Sequence, residues 1–196
     1  GLVYIALDGI NPRIAINGIE EGTELGEGEG SLQNLGDVNG DGYDDLGMKD
    51  TDGRLFILWG KSSWALNFDS DGDGVFDIHL IDLADPSNIN GNSISGAFIG
   101  YGFNFKGVGD INDGGFDDFI ISDPYDGWVS NYTGQEFGRI LLVYGQSNWV
   151  GEFDLDDVQT IEIKGDALGH HIIPLGDFDN DGVDEFAFSA GDPWSH

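Results

Sequence analysis

The chain has 196 residues, with 37 acids against 7 Lys and Arg and a formal net charge of −30. Nucleic acid and anionic membrane surfaces are poor partners for such a balance, because both need clustered Lys and Arg, and no stretch reaches the apolar length of a membrane span. There is no Cys, which removes disulfides and thiolate metal sites. Thirty-three Gly and thirteen Phe suit many short strands joined by tight turns. The chain opens on Gly without a signal-type run, as expected of a processed product or a piece of a longer chain. Residues 1–9, GLVYIALDG, read as a strand that is apolar on both faces, Leu2, Tyr4 and Ala6 alternating with Val3, Ile5 and Leu7. An alternating strand follows at Ile14–Ile16, then a turn near Gly26.

Leu35 to Leu46, LGDVNGDGYDDL, is the first segment that carries chemistry. Asp37, Asn39 and Asp41 place side-chain oxygens at alternate positions, Gly42 permits a sharp turn and Asp45 closes the group. So many carboxylates in one short loop repel one another unless a hard cation sits among them. Calcium fits best, since it accepts six to eight oxygens in flexible geometry. With Asp37 as position one, the ligands are the side chains at one, three, five and nine and the carbonyl of Tyr43 at seven.

The pattern recurs along the chain. Asp69 to Asp77, DSDGDGVFD, offers Asp69, Asp71, Asp73 and Asp77 as an inserted acidic loop. Val108 to Phe119, VGDINDGGFDDF, has Asp110, Asn112 and Asp118 in register, with Phe116 at seven. Position five there is Gly114, the acid being displaced to Asp113. Leu175 to Phe186, LGDFDNDGVDEF, has Asp177, Asp179, Asp181, Val183 and Glu185. An EF-hand would require a Glu at position twelve and flanking helices. Position twelve is Met48, Leu80, Ile121 or Phe188, and the flanks, such as Phe119-Ile120-Ile121, read as strands.

Longer repeats frame these loops. Gly53-Arg54-Leu55-Phe56-Ile57-Leu58 aligns with Gly138-Arg139-Ile140-Leu141-Leu142-Val143, and Trp59 to Trp64 aligns with Tyr144 to Trp149. Each unit runs in one order: an alternating strand (Ile14–Ile16, Ile78–Leu83, Ile161–Ile163), a turn near Gly26, Gly100 or Gly169, a second strand, the acidic loop, a third strand and a fourth. The predicted division is 1–9, the fourth strand of a preceding or partner unit; 10–60; 61–145, with the insertion; and 146–196, which lacks its last strand. Four short strands in roughly seventy residues suit a β-propeller blade in an all-β fold.

On these residues the chain resembles the FG-GAP repeat family, the blades of integrin α-chain propellers and of many bacterial surface proteins. Phe98-Ile99-Gly100 and Leu168-Gly169 stand for the FG part, the three GD-x-[ND]-x-x-G loops for the calcium part, and Ser122-Asp123-Pro124 and Gly191-Asp192-Pro193 for GAP. Gly47-Met48-Lys49-Asp50 departs from GAP, and the 69–77 loop is extra to an ordinary blade. The resemblance implies calcium as cofactor and a non-catalytic structural or adhesion role outside the cell or on its surface, with a cell-surface protein or a glycan as partner. Millimolar external calcium would fill such open loops. A carbohydrate-binding propeller, with Trp128 and Tyr132 stacking on sugar, is the main alternative, and a non-catalytic domain of a secreted hydrolase is another.

Three repeats are too few to close a ring. The expected partner is therefore an adjoining blade of a longer chain, or another copy joined through the terminal strands as a ring or a fibre. His170 and His171 are adjacent and point to opposite faces of a strand; Asp154, Asp156 and Asp157 read as a solvated edge. No GxSxG, P-loop or zinc signature is present, so no enzyme is expected. Because Gly114 contributes no carboxylate, the Asp110 loop should bind calcium most weakly; calorimetric titration of single-loop variants should show the weakest site lost in Asp110→Ala.

Overall fold

The computed structural model describes residues 2–6, 13–17, 24–28, 30–62, 76–79, 96–101, 104–124, 137–147, 149, 151–152, 160–166 and 168–191. Among them every regular element is a strand: β1 (Leu2–Ala6), β2 (Arg13–Asn17), β3 (Leu32–Gly36), β4 (Asp45–Lys49), β5 (Arg54–Leu58), β6 (Phe76–His79), β7 (Gly96–Tyr101), β8 (Asn104–Gly109), β9 (Asp118–Asp123), β10 (Phe137–Val143), β11 (Gly151–Glu152), β12 (Thr160–Asp166), β13 (Ile172–Gly176) and β14 (Glu185–Phe188). They form four sheets, in the orders β1-β2-β6, β11-β7-β5-β4-β3, β12-β10-β9-β8 and β13-β14, none closed into a barrel. The pairings are antiparallel except that β6 and β11 add in parallel to β2 and β7.

The two central sheets grow outward in chain order from a first strand, through the acidic loop, to a second and a third, and β13-β14 shows the first two of these strands. The alternating strands β2 and β12 do not start a new sheet; they pair with the preceding strands β1 and β10, β12 at the edge of its sheet and β2 between β1 and β6. In the middle unit that place is taken by β7, not by the expected strand at Ile78–Leu83, of which β6 includes only Ile78 and His79. Gly100 lies within β7 opposite Leu55 rather than in a turn. Gly26 and Gly169 do turn the chain, at φ 75° and 82°.

The third strands β5 and β10 are apolar without a break from Leu55 to Leu58 and from Ile140 to Val143, because these stretches are covered on both sides. In β5, Leu55 and Ile57 pack toward Phe105, Phe119, Ile121 and Trp149 of the next sheet. Phe56 and Leu58 pack the other way, with Val3, Ile14 and Ile16 of the first sheet. β10 repeats the arrangement: Leu141 and Val143 face back, Ile140 and Leu142 forward onto Leu168 and Ile172. Three apolar layers therefore separate four sheets, and β8 lies against both β3 and β13. Each large side chain fully buried in these layers contributes about 1.5–3 kcal/mol.

The forward face of the last sheet breaks the rule. Leu35 and Val38 are 1% and 0% exposed, whereas the equivalent Leu175 and Phe178 are 42% and 75% exposed. At the other end Leu32 is 42% exposed, although its equivalents Phe105 and Ile172 are buried.

Close approach of β8 to β3 depends on the absence of a side chain. A Cβ on Gly107 would lie 2.7 Å from the Leu35 Cα and 2.8 Å from the carbonyl oxygens of Asn34 and Leu35, all of them backbone atoms. Gly107→Ala is expected to cost about 1–3 kcal/mol, read as a lowered urea midpoint, even though Ala is ordinarily the better strand residue.

Candidate metal centre

Each of the three described loops joins two antiparallel strands, β3 to β4, β8 to β9 and β13 to β14. The register of each pair shifts at the last residues of the incoming strand, so Leu35, Val108 and Leu175 are bulged out of the ladder. The glycine that follows is left-handed, with φ 78° at Gly36, 79° at Gly109 and 64° at Gly176. A bulge closed by a left-handed glycine bends the strand and aims the next residue inward.

That next residue is position one, and its carboxylate is the hub of the loop. Asp37 accepts the N–H groups of Asp41 (2.9 Å) and Gly42 (2.8 Å). Asp110 accepts those of Gly114 (2.8 Å) and Gly115 (2.7 Å). Asp177 accepts those of Asp181 (2.9 Å) and Gly182 (3.1 Å). Position four is left-handed each time, as Gly40, Asp113 and Asn180, residue types that tolerate it. The displaced acid of the second loop is thus a turn residue. Asn39 accepts from Asp41 N–H at 2.8 Å, while Asn112 is exposed. Asp41 and Asp181 accept the N–H groups of Tyr43 and Val183.

Position nine lies beneath the loop. Asp45 and Asp118 are 1% and 0% exposed. Each accepts the N–H of its own position two, from Val38 and Ile111, both at 3.1 Å. The other oxygen of each accepts a glycine N–H just past the third strand, Gly60 or Gly145, both at 2.8 Å. Glu185 accepts from Phe178 at 2.6 Å in the same manner. This acid therefore fastens loop, strand and strand end together. Burial pushes Asp45 up to about 7, against the two N–H groups that favour the charge, and the nearby charges of Asp41 and Asp37 push the same way. Burial likewise raises Asp118 to about 6, with Asp110 and Asp117 adding to it.

Positions one, three and nine converge in the last loop, where oxygens of Asp177, Asp179 and Glu185 lie within 4.8 Å of one another and could hold a metal ion. In the first loop the Asn39 amide reaches Asp45 at 3.5 Å, joining positions three and nine there too. The donors are all oxygen, a set suited to hard cations rather than to zinc or copper.

Asp69, Asp71 and Asp73 lie outside the described residues, and Asp77 stands in β6 opposite Ala15. Asp154, Asp156, Asp157, Trp64, Trp128, Tyr132 and Trp194 also lie outside them. Trp59 and Trp149 are buried side by side, ring centroids 6.4 Å apart, and the Trp149 indole donates to the Val38 carbonyl at 3.0 Å. These two rings hold sheets together and are not open to a sugar.

Position eight was not assigned a role from the sequence, and it links the loops. Asp117 donates its N–H to the Asp37 carbonyl (3.1 Å), and its carboxylate accepts the Asp37 N–H (2.7 Å). Asp184 donates its N–H to the Asp110 carbonyl at 3.4 Å. The Phe116 ring, at position seven, rests on Gly40 of the first loop, while Tyr43 is exposed and Val183 half-buried. The available signal was the acidic pair that ends every loop: Asp44-Asp45, Asp117-Asp118 and Asp184-Glu185. Neither the protein-family models nor the curated proteins compared with the chain give a match.

A carboxyl whose folded pKa stands above its unfolded value keeps its proton longer in the folded chain, so stability falls as pH rises between the two. For Asp45 that window runs from 3.8 to about 7, and for Asp118 from 3.8 to about 6. With metal chelated, the urea midpoint should therefore drop from about pH 4 to pH 7, and Asp45→Asn, which cannot ionise, should flatten the drop.

Proposed function

We propose that the chain is a calcium-stabilised structural module, a run of FG-GAP-type propeller blades that works in adhesion or surface architecture outside the cell and has no catalytic role. The observation that carries this reading is the same nine-residue oxygen-lined loop built three times at the same place in successive sheets, with Asp177, Asp179 and Glu185 already gathered. Calcium is favoured over magnesium because the loops offer many oxygens on adaptable backbone, whereas magnesium demands a tight octahedron and retains its waters. Sheets packed face to face, with first strands side by side, support the blade arrangement.

The ion would be held by the side chains at one, three and nine, by that at five where it is Asp41 or Asp181, and by the position-seven carbonyl of Tyr43, Phe116 or Val183. Calcium supplies positive charge there, which offsets the repulsion of the acids and the burial of position nine. The partner that fits best is more of the same repeat, from adjoining sequence or another copy. The sheet β1-β2-β6 contains the strand types that β13-β14 lacks, and Leu32 at one end and Leu175 and Phe178 at the other are exposed where their equivalents are covered.

Binding to the folded state alone adds about 2.7 kcal/mol per site at a hundredfold excess over Kd. Chelator should lower Tm by many degrees and raise protease sensitivity, and calcium should restore both more effectively than magnesium. An unchanged melting curve would remove calcium from the account.

A further inference from the structure

We propose that the acid at position eight is a coupling element: Asp117 and Asp184 transmit the ordered state of one loop to the position-one residue of the loop before it, so that neighbouring sites fill cooperatively. This rests on the calcium reading above. Asp117 belongs to no ligand set, yet its main chain and side chain grip both backbone groups of Asp37. The place where a Cβ on Gly36 would sit is occupied by the Asp117 carboxylate, and the Asp184 carboxylate stands against Gly109 in the same way. Phe116 on Gly40 adds an apolar contact between the first two loops.

Asp117 and Asp118 share a peptide bond, so an ion that fixes Asp118 at position nine also fixes Asp117. Asp117 in turn fixes Asp37, whose carboxylate is the hub of the preceding loop. Binding that orders one loop lowers the ordering cost left for the next, which gives positive cooperativity. The coupling is reciprocal, because it is a free energy shared by the two sites. Asp184 extends it from the third loop to the second through the Asp110 carbonyl.

The test reads each loop separately in the full chain. The amides of Gly42, Gly115 and Gly182 each donate to their own position-one carboxylate and serve as NMR reporters during calcium titration. In wild-type background, Asp110→Ala should empty the second loop and move the Gly42 midpoint at least about 5-fold to higher calcium. In Asp117→Ala background, which removes the carboxylate that accepts the Asp37 N–H and keeps the main-chain bond, the shift that Asp110→Ala causes at Gly42 should shrink severalfold. A purely structural Asp117 would lower affinity but leave the Asp110→Ala effect intact, and that result overturns the proposal. If the three glycines respond to calcium with independent midpoints, calcium binding stands and the coupling falls; if none responds, calcium binding itself falls and the coupling with it. Should Asp117→Ala not fold, Asp117→Ser, which shortens the side chain away from the Asp37 N–H, takes its place in the same cycle, read at Gly42.

Discussion

The carboxylate buried beneath each of the first two loops is the constraint from which the remaining geometry follows. Asp45 and Asp118 are out of water, each held by two backbone N–H groups, one from the loop and one from just past the neighbouring third strand. Burying a charge is costly unless it is paired, and two neutral donors do not suffice, since both groups are raised well above the ordinary carboxyl range. The same side chains that define the loop therefore leave it short of positive charge. Where that charge comes from is the question on which both stability and ligand binding turn.

Much of the architecture was legible because the informative spacings are local. Side-chain oxygens at one, three and nine around a glycine at six describe a single turn, and all three described loops take up that turn between strands. Leu55 to Leu58 and Ile140 to Val143 are apolar at every position, which specifies cover on both faces before any partner is known. The less legible features depend on distant partners. Asp117 reads as one more acid in an acidic run; its function appears only when Asp37, from the previous repeat, is beside it. Sheet membership was obscured for a related reason: β2 and β12 open a unit in the sequence reading but pair with β1 and β10 behind them, so the period of the sequence and the division into sheets do not coincide.

The aromatic residues illustrate how a repeat separates structure from recognition. Trp149 shares a layer with Trp59 and Phe119 and caps the Val38 carbonyl, a backbone group of the first loop. Its indole N–H is the polar handle that a buried Trp requires, and it reaches from the end of one sheet to the loop of the sheet before. Together with Gln146, whose N–H meets the same carbonyl at 3.0 Å, it gives that oxygen two donors. Loop and core are thereby joined by the Trp149 side chain and the Gln146 main chain, whereas the candidate sugar-stacking residues Trp128 and Tyr132 lie outside the described residues.

Every apolar layer is built from two adjacent sheets and no more. Such a stack behaves as a one-dimensional array, in which stability is a sum of each unit's own term and the terms it shares with its immediate neighbours. A unit in the interior has two such shared terms, a unit at the margin one. Among the described residues the β13-β14 pair and the β1-β2-β6 sheet each share one layer, and the two central sheets share two, so the central sheets carry the larger part of the shared terms. Damage to one interior layer would split the array into two shorter cooperative blocks rather than weaken the whole chain evenly.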